Sequence, residues 1–189
     1  MGFFDSLFGR SKPARPDLDQ LFAMPGAALT LEAAMDYRPT GVGAVAFRKP
    51  AGKAFAAVQQ EIQDLLDLDS GPKVAVEEDT FGFTWLVVRK DPSDTPGLVT
   101  DLHAINATLQ DSGFGPTLLC SLFGFAGPDG QQLAMVYLFK QGTFYPFAPV
   151  SSDRRDNMLE LQVRDELGSD LRFEPELGRW FALWGAPGL

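Results

Sequence analysis

A tight-turn signal at residues 127–130 places the strongest constraint on the fold. The four residues are Gly-Pro-Asp-Gly, and they lie between two apolar runs at 117–125 and 132–139. Proline and aspartate are typical of tight turns, and glycine accepts the backbone angles that close them. The pattern predicts a β-hairpin, and a hairpin this apolar must belong to a larger antiparallel sheet that other elements cover.

Hydrophobic periodicity and turn residues predict the other elements. Strands are expected at 28–33, 42–48, 73–78 and 83–89. Helices are expected at 52–68, from Pro96 to just before Gly113, at 154–167 and after Pro175. The clearest helical stripe is formed by Leu98, Leu102, Ile105 and Leu109, and the last one by Leu177, Trp180, Phe181 and Trp184. One or two helical turns are expected at 17–24, ending before Pro25, and 144–149 should be extended.

The order of these elements predicts the fold class. It reads ββα, ββα, ββ, an extended Pro-rich segment and then helices. Strand pairs joined by short turns favour antiparallel pairing, and helices after each pair favour an α+β layer. We expect a largely antiparallel sheet built from ββα units with helices packed on it, in a single domain over residues 17–189. Residues 1–16 are expected to form a separate segment and linker.

The first fifteen residues combine an apolar stripe with a basic cluster. In a helix, one side would carry Phe3, Phe4, Leu7 and Phe8. The basic residues that follow are Arg10, Lys12 and Arg15. On a chain whose formal net charge is −9, this pattern is typical of a segment that docks on a protein or on an anionic membrane surface.

Composition argues against several classes of protein. An acidic chain repels phosphate backbones, so nucleic-acid binding is not expected. No apolar run approaches the ~18–20 residues that span a bilayer. The single cysteine, Cys120, lies in an apolar run and is expected to pack in the core of a protein from a reducing compartment. We expect a cytoplasmic protein, with peripheral contact at the inner face of the membrane as a further expectation.

The sequence contains patterns that partly match cofactor, metal and catalytic motifs, but each lacks a feature that the site requires. The Gly41–Gly43 pattern resembles a dinucleotide loop, but no helix opens at it. A calcium-like loop starting at Asp67 places Pro72 where a sharp glycine turn is required. His103 is the only histidine; a solvated helix flank is its simplest interpretation, and a Cys–His pair with Cys120 is the alternative. We expect no catalytic residues, no cofactor and no metal.

Three stretches of the chain carry a family resemblance. They are MGFFDSLFG at the N-terminus, GLVTDLHAINATLQDSGFG in the centre, and KQGTFYPFAP through RRDNMLELQ to RWFALWGAPGL. Together they resemble the PspA-associated protein PspAB family over essentially the whole chain. The resemblance implies association with the phage-shock, envelope-stress system and with PspA-type partners, and it supplies no catalytic residues.

Three functions follow as hypotheses. The first is a non-enzymatic adaptor of the envelope-stress response that binds protein or the membrane surface. The second is a small-molecule-binding or enzymatic domain with a pocket near Phe144–Pro149, in which Lys140 supplies a cation, Tyr145 a hydroxyl, and Phe144 and Phe147 apolar walls. The alternative for that segment is that it covers a sheet edge. The third is a chaperone-like protein that presents an exposed apolar strip.

Overall fold

The structure, a computed structural model, describes residues 16–50, 52–68 and 72–189. Within these ranges the helices are α1 (Met24–Met35), α2 (Lys53–Leu66), α3 (Thr95–Leu109) and α4 (Asn157–Glu166). The strands are β1 (Arg38–Phe47), β2 (Ala75–Glu78), β3 (Thr84–Arg89), β4 (Leu118–Ala126), β5 (Gln132–Leu138), β6 (Thr143–Phe147), β7 (Pro149–Ser151) and β8 (Arg154–Arg155). The docking segment predicted at residues 1–15 lies outside the described residues.

Strands β1 to β6 form one antiparallel sheet in the order β2-β3-β1-β4-β5-β6. The predicted hairpin at 127–130 is confirmed: Gly127 N donates to Gln131 O at 2.8 Å, and Gly130 takes a φ of +78°. Strands β7 and β8 form a separate two-stranded ribbon. The α+β class with an antiparallel sheet is therefore confirmed.

One face of the sheet is covered by helices. The predicted stripe of α3 is buried there, with Leu102, Ile105 and Leu109 fully inaccessible to solvent. Gly43 of β1 makes this approach possible, since a Cβ at that position would lie 2.9 Å from Leu102 Cδ1 and 3.0 Å from Leu98 Cδ1. Gly43 of the dinucleotide-like pattern thus serves helix–sheet packing, whereas Gly41 lies against the backbone of residues 90–92.

Two predicted elements near the N-terminus are wrong. Residues 28–33 are not a strand; they lie inside α1, which buries Met24, Ala27, Ala28 and Leu31 at helical spacing. Pro25 does not end a helix but occupies the first turn of α1, where the missing proline N–H is not needed for a helical hydrogen bond. The first predicted ββα unit is consequently a helix, a strand and a helix.

The other face of the sheet is covered by irregular chain. Alternate strand residues, among them Ala46, Trp85, Cys120 and Tyr145, form a second buried cluster with side chains from residues 177–189, which we call the C-terminal strap. The helix predicted after Pro175 is wrong, because only Leu177–Arg179 forms a short 3-10 turn. After this 3-10 turn the strap lies on the sheet as irregular chain with turns at 184–185 and 187–188.

Hydrogen bonds to other parts of the protein explain why the strap is not helical. The carbonyl of Trp180 accepts from Arg155 Nη1 at 2.7 Å, and the carbonyl of Phe181 accepts from the Tyr145 hydroxyl at 2.9 Å. The Trp180 indole donates to Glu174 O at 3.0 Å. These bonds satisfy the backbone from outside, and packing on the sheet overrides the helical spacing of the apolar residues.

The segment expected to be extended at 144–149 is confirmed as strand β6 and the start of β7. It does not cover a sheet edge; it is the last strand of the sheet. Residues 172–174 cover it in turn, since Phe144 N donates to Arg172 O at 2.8 Å and Glu174 N donates to Phe144 O at 2.7 Å. This edge of the sheet is therefore protected from pairing with another chain.

Candidate functional site

A cavity of about 480 Å³ lies between the sheet and the C-terminal strap. Its floor is formed by Ala46, Trp85, Cys120, Leu138 and Tyr145, one residue from each of the five strands β1 and β3 to β6. Residues 181–184 of the strap form one wall, and the turn between β2 and β3 forms another. We call it the strap cavity. Its volume lies in the range of ~300–1,000 Å³ that is usual for small-molecule sites.

Short side chains at the centre of the floor create the space. Ala46 of β1 is paired with both Trp85 of β3 and Cys120 of β4. All three are buried, and the side chains of alanine and cysteine project less far from the sheet than the indole beside them. The cavity is thus a consequence of residue size along one row of neighbouring strands.

Two aromatic side chains stand at the opening. Phe81 from the β2–β3 turn and Phe181 from the strap both line the cavity, and they are 62% and 58% exposed. Exposed apolar side chains that lie together at a concave opening are typical of sites that contact another molecule. The strap cavity is therefore open to solvent through an apolar rim.

Two cations and one carboxylate accompany the apolar lining. Arg48 and Lys140 lie two residues beyond Ala46 and Leu138, so strand alternation places them on the cavity side of the sheet. The Arg48 guanidinium lies 5.8 Å from the centre of the Phe83 ring. Neither cation forms an ion pair with any carboxylate that the structure describes.

The carboxylate of Asp79 is occupied by hydrogen bonds from the protein. Its Oδ1 accepts from the backbone N–H groups of Phe81 and Phe83, both at 2.9 Å. Its Oδ2 accepts from the Trp85 indole, also at 2.9 Å. Asp79 therefore shapes the β2–β3 turn and orients Trp85, while its charge is already partly compensated by these donors.

The ionisable groups in the floor are held neutral. Burial and, to a lesser degree, the negative charge of Asp79 together raise the pKa of the Cys120 thiol to about 12. Burial raises the pKa of Tyr145 well above its usual value of 10.0, and its hydroxyl already donates to Phe181 O. A neutral thiol and a bonded phenol are poor nucleophiles and poor bases at neutral pH.

The Cys–His pair considered from the sequence is wrong. His103 lies on α3, on the helix-covered face of the sheet, whereas Cys120 belongs to the strap-covered face. The His103 ring instead packs against Phe22, with ring centres 4.8 Å apart, and its Nε2 lies 3.8 Å from Asp19 Oδ1. Its place on a partly exposed helix flank matches the simpler interpretation.

The residues of the predicted binding surface at 140–147 do not all lie on the same face of the sheet. Lys140 and Tyr145 line the strap cavity. Phe144 faces the helices and packs on Tyr137 at 5.2 Å between ring centres. Phe147 lies on the strap side but packs on Trp184 at 5.0 Å, outside the cavity lining. Arg48, Asp79, Phe81, Trp85 and Phe181 were missed, because strand order is needed to bring them together.

Two buried carboxylates anchor the strap. Glu160 of α4, 2% exposed, accepts from Arg155 Nε at 2.8 Å and from Ala148 N at 2.9 Å. Burial raises the pKa of Glu160 above its usual 4.5, although the hydrogen bond from Arg155 opposes the shift. Glu174, also 2% exposed, accepts from Thr143 Oγ1 at 2.9 Å and from Arg179 Nη1 at 3.2 Å. The hydrogen bonds of these two side chains thus connect the strap to the rest of the protein.

The family of the chain is shown by its sequence as a whole. The model of the family described as PspA associated protein B matches residues 1–188. The chain belongs to this family. No curated protein and no solved structure matches it. The family name points to association with PspA, and the match includes the apolar and basic segment at residues 1–15.

Two further findings bear on what this family member can bind. Across residues 16–50, 52–68 and 72–189, none of the helices has both the length and the apolar character required to cross a bilayer. The same part of the chain brings together no group of three or more histidine, cysteine or acidic side chains that could hold a metal ion. The strap cavity, at about 480 Å³, is larger than two further cavities of about 190 and 290 Å³ in the same part of the chain.

Proposed function

We propose that the protein is a non-enzymatic adaptor that binds a PspA-type protein in an envelope-stress response. Membership of the PspA associated protein B family supports the partner. The observation that favours binding over catalysis is the state of the cavity floor: Cys120 and Tyr145 are neutral, and the Tyr145 hydroxyl is committed to the strap. The protein acts in the cytoplasm, in contact with partners at the inner face of the membrane.

The docking element of this adaptor is the segment at residues 1–15. Its large apolar residues are Phe3, Phe4, Leu7 and Phe8, and its basic residues are Arg10, Lys12 and Arg15. With one acidic residue, Asp5, the segment carries a net charge of +2 within a chain of net charge −9. Burying each large apolar side chain contributes roughly 1.5–3 kcal/mol, but ordering the backbone costs roughly 1–2 kcal/mol per residue. The balance gives weak and reversible docking.

A binding measurement with a purified PspA-type protein tests the proposal. Wild type should bind, and Phe4→Glu/Phe8→Glu should lose most of the binding because it places two charges in the apolar stripe. Leu29→Glu/Met158→Glu is the matched control: it makes the same change at side chains of the folded body that are 70% and 72% exposed. The control should bind like wild type.

The two ways in which this experiment can fail have different meanings. If wild type does not bind any PspA-type protein, the adaptor function is wrong. If wild type and Phe4→Glu/Phe8→Glu bind equally well, the adaptor function stands and the docking element lies elsewhere on the protein.

A further inference from the structure

The strap cavity has the form of a small-ligand site rather than of a protein-docking groove. It is bounded by the sheet below, by the strap on one side and by the β2–β3 turn on another, and its volume is about 480 Å³. The row of floor residues across the strands is apolar and consists of Ala46, Trp85, Cys120 and Leu138. Sites of this kind bind a ligand through an apolar body and a few placed polar groups.

The charges at the cavity specify the other end of the ligand. Arg48 follows β1 and Lys140 follows β5, with only β4 between these strands, so their backbones lie roughly 10 Å apart. Both side chains are exposed, and no described carboxylate neutralises either of them. Asp79 is the single acidic residue in the lining, and protein donors surround its oxygens. The mouth of the cavity is therefore cationic on an otherwise acidic chain.

We propose that the strap cavity binds a single-chain amphiphile with an anionic head, a carboxylate or a phosphate. The alkyl chain lies on the floor formed by Ala46, Trp85 and Cys120, under the rim of Phe81 and Phe181. The head lies between Arg48 and Lys140, where the guanidinium and the ammonium donate hydrogen bonds to its oxygens. This binding site is separate from the adaptor function, because it uses none of residues 1–15.

The N-terminal segment of the same chain is a poorer occupant. Its apolar residues match the floor of the cavity, but the segment carries a net charge of +2. Arg10, Lys12 and Arg15 would add to the positive charge of Arg48 and Lys140, with only Asp5 in the segment to balance them. Like charges at close range disfavour this arrangement, and an anionic head removes the problem.

Titration of the full-length protein with alkyl ligands below their micelle concentrations tests the proposal. Trp85 and Trp184 line the cavity, so their fluorescence reports occupancy, and calorimetry gives the stoichiometry and the dissociation constant. Dodecanoate or dodecyl phosphate should saturate at one ligand per chain, and the better of the two identifies the head. Decanoate should bind roughly 15-fold more weakly than dodecanoate, since each buried methylene contributes about fourfold. Dodecyltrimethylammonium should bind at least tenfold more weakly than either anion.

Charge-reversal variants test the head site. Arg48→Glu/Lys140→Glu should weaken dodecanoate at least tenfold and should not weaken dodecyltrimethylammonium. Lys53→Glu/Arg154→Glu is the matched control, because it makes the same change of net charge at exposed residues outside the cavity lining. It should leave the affinity for dodecanoate within twofold of wild type.

Cavity-filling variants test the chain site. Ala46→Leu fills the cavity from its floor. Ala182→Trp fills it from the strap, and because Ala182 is exposed, this substitution leaves the packing of the core unchanged. Both should abolish saturable binding of every alkyl ligand while thermal unfolding shows a folded protein. Phe4→Glu/Phe8→Glu should bind dodecanoate like wild type.

Four results would each overturn the proposal. These are an absence of saturable binding to wild type, equal affinity for the cationic and anionic ligands, an affinity unchanged by both cavity-filling variants, and equal losses in the two charge-reversal pairs. Tighter dodecanoate binding by Phe4→Glu/Phe8→Glu would instead assign the cavity to the N-terminal segment.

Discussion

The hydroxyl of Tyr145 donates a hydrogen bond to the carbonyl of Phe181, 2.9 Å away, and thereby joins β6 to the C-terminal strap. Tyr145 is fully buried and lines the floor of the strap cavity, whereas Phe181 lines its opening. The bond connects the two parts of the chain that enclose the cavity. It commits the phenol proton of the floor to the Phe181 carbonyl and holds the strap against the sheet.

Removal of this hydroxyl should destabilise the protein modestly. Tyr145→Phe leaves the Phe181 carbonyl without its donor, and we expect a loss of about 0.5–1.5 kcal/mol in the free energy of unfolding. Chemical denaturation measures the effect. Tyr37→Phe is the control: Tyr37 is also buried, but its hydroxyl donates no hydrogen bond to any described group, and its removal should cost less. Equal losses in the two variants would contradict the structural function of the Tyr145 bond.

The α3 stripe should carry a large part of the stability of the helix-covered face. Leu102 is fully buried, so Leu102→Ala should lower the free energy of unfolding by ~2–5 kcal/mol through lost burial and a residual cavity. Leu29→Ala, at a side chain that is 70% exposed, should change it by no more than ~0.5 kcal/mol. An unchanged denaturation midpoint in Leu102→Ala would show that α3 is peripheral in solution.

Glu160 should make stability depend on pH in an unusual direction. Its pKa in the folded protein is raised above the usual 4.5, so between that value and the folded pKa the folded state binds more protons than the unfolded state. The contribution of this carboxyl is therefore largest below pH 4.5 and is lost as the pH rises through the folded pKa.

The difference in unfolding free energy between wild type and Glu160→Gln, measured from pH 4 to pH 8, reports this contribution. The free energy of unfolding of wild type should fall relative to that of Glu160→Gln as the pH rises. Glu166→Gln, at an exposed residue of the same helix, is the control and should show no comparable trend. A difference that grows in favour of wild type with rising pH would show that the ion pair with Arg155 dominates over burial.

Cys120 should be unreactive in the folded protein. With a pKa of about 12, the thiol is protonated at pH 8 and should react with iodoacetamide far more slowly than in the protein unfolded by urea. Cys120→Ser should leave binding to a PspA-type protein unchanged, although burial of the hydroxyl costs ~1–3 kcal/mol of stability. Loss of binding in a folded Cys120→Ser variant would show that the side chain does more than pack.

The N-terminal segment should give weak membrane binding. Full-length protein should sediment with anionic vesicles at low salt, because Arg10, Lys12 and Arg15 each contribute about 1 kcal/mol near such a surface and salt screens this attraction. Phe4→Glu/Phe8→Glu should not sediment. Equal sedimentation of both proteins, or of neither, would remove the membrane from the list of docking surfaces.

The sequence predicts the sheet well where turn residues interrupt apolar runs. The β4–β5 hairpin follows from 127–130, and β3 from an apolar run that ends at Arg89. The errors have physical causes. Residues 28–33 fit alternation and helical spacing almost equally, and burial of Met24 and Leu31 decides for a helix. The strap has helical spacing, but hydrogen bonds to Tyr145 and Arg155 occupy its carbonyls.

The strap cavity was predicted only in part for a related reason. Lys140 and Tyr145 are close in the sequence, and the apolar Pro-rich segment at 144–149 predicted a pocket that includes both. Arg48 and Asp79 join them only because β1 lies between β3 and β4 in the sheet. That order depends on long-range packing, which local patterns along a single chain do not encode.

The position of the strap in the chain has a consequence for how the protein is made. One side of the sheet, with Ala44, Leu122 and Val136, is complete once β6 has been synthesised, but the side chains that cover it come from residues 177–189. During synthesis from the N-terminus, this side remains uncovered for some thirty residues after β6 ends at Phe147. A nascent or truncated chain therefore exposes an apolar surface that chaperones and other nascent chains can bind. Packing of the strap on the sheet buries this surface.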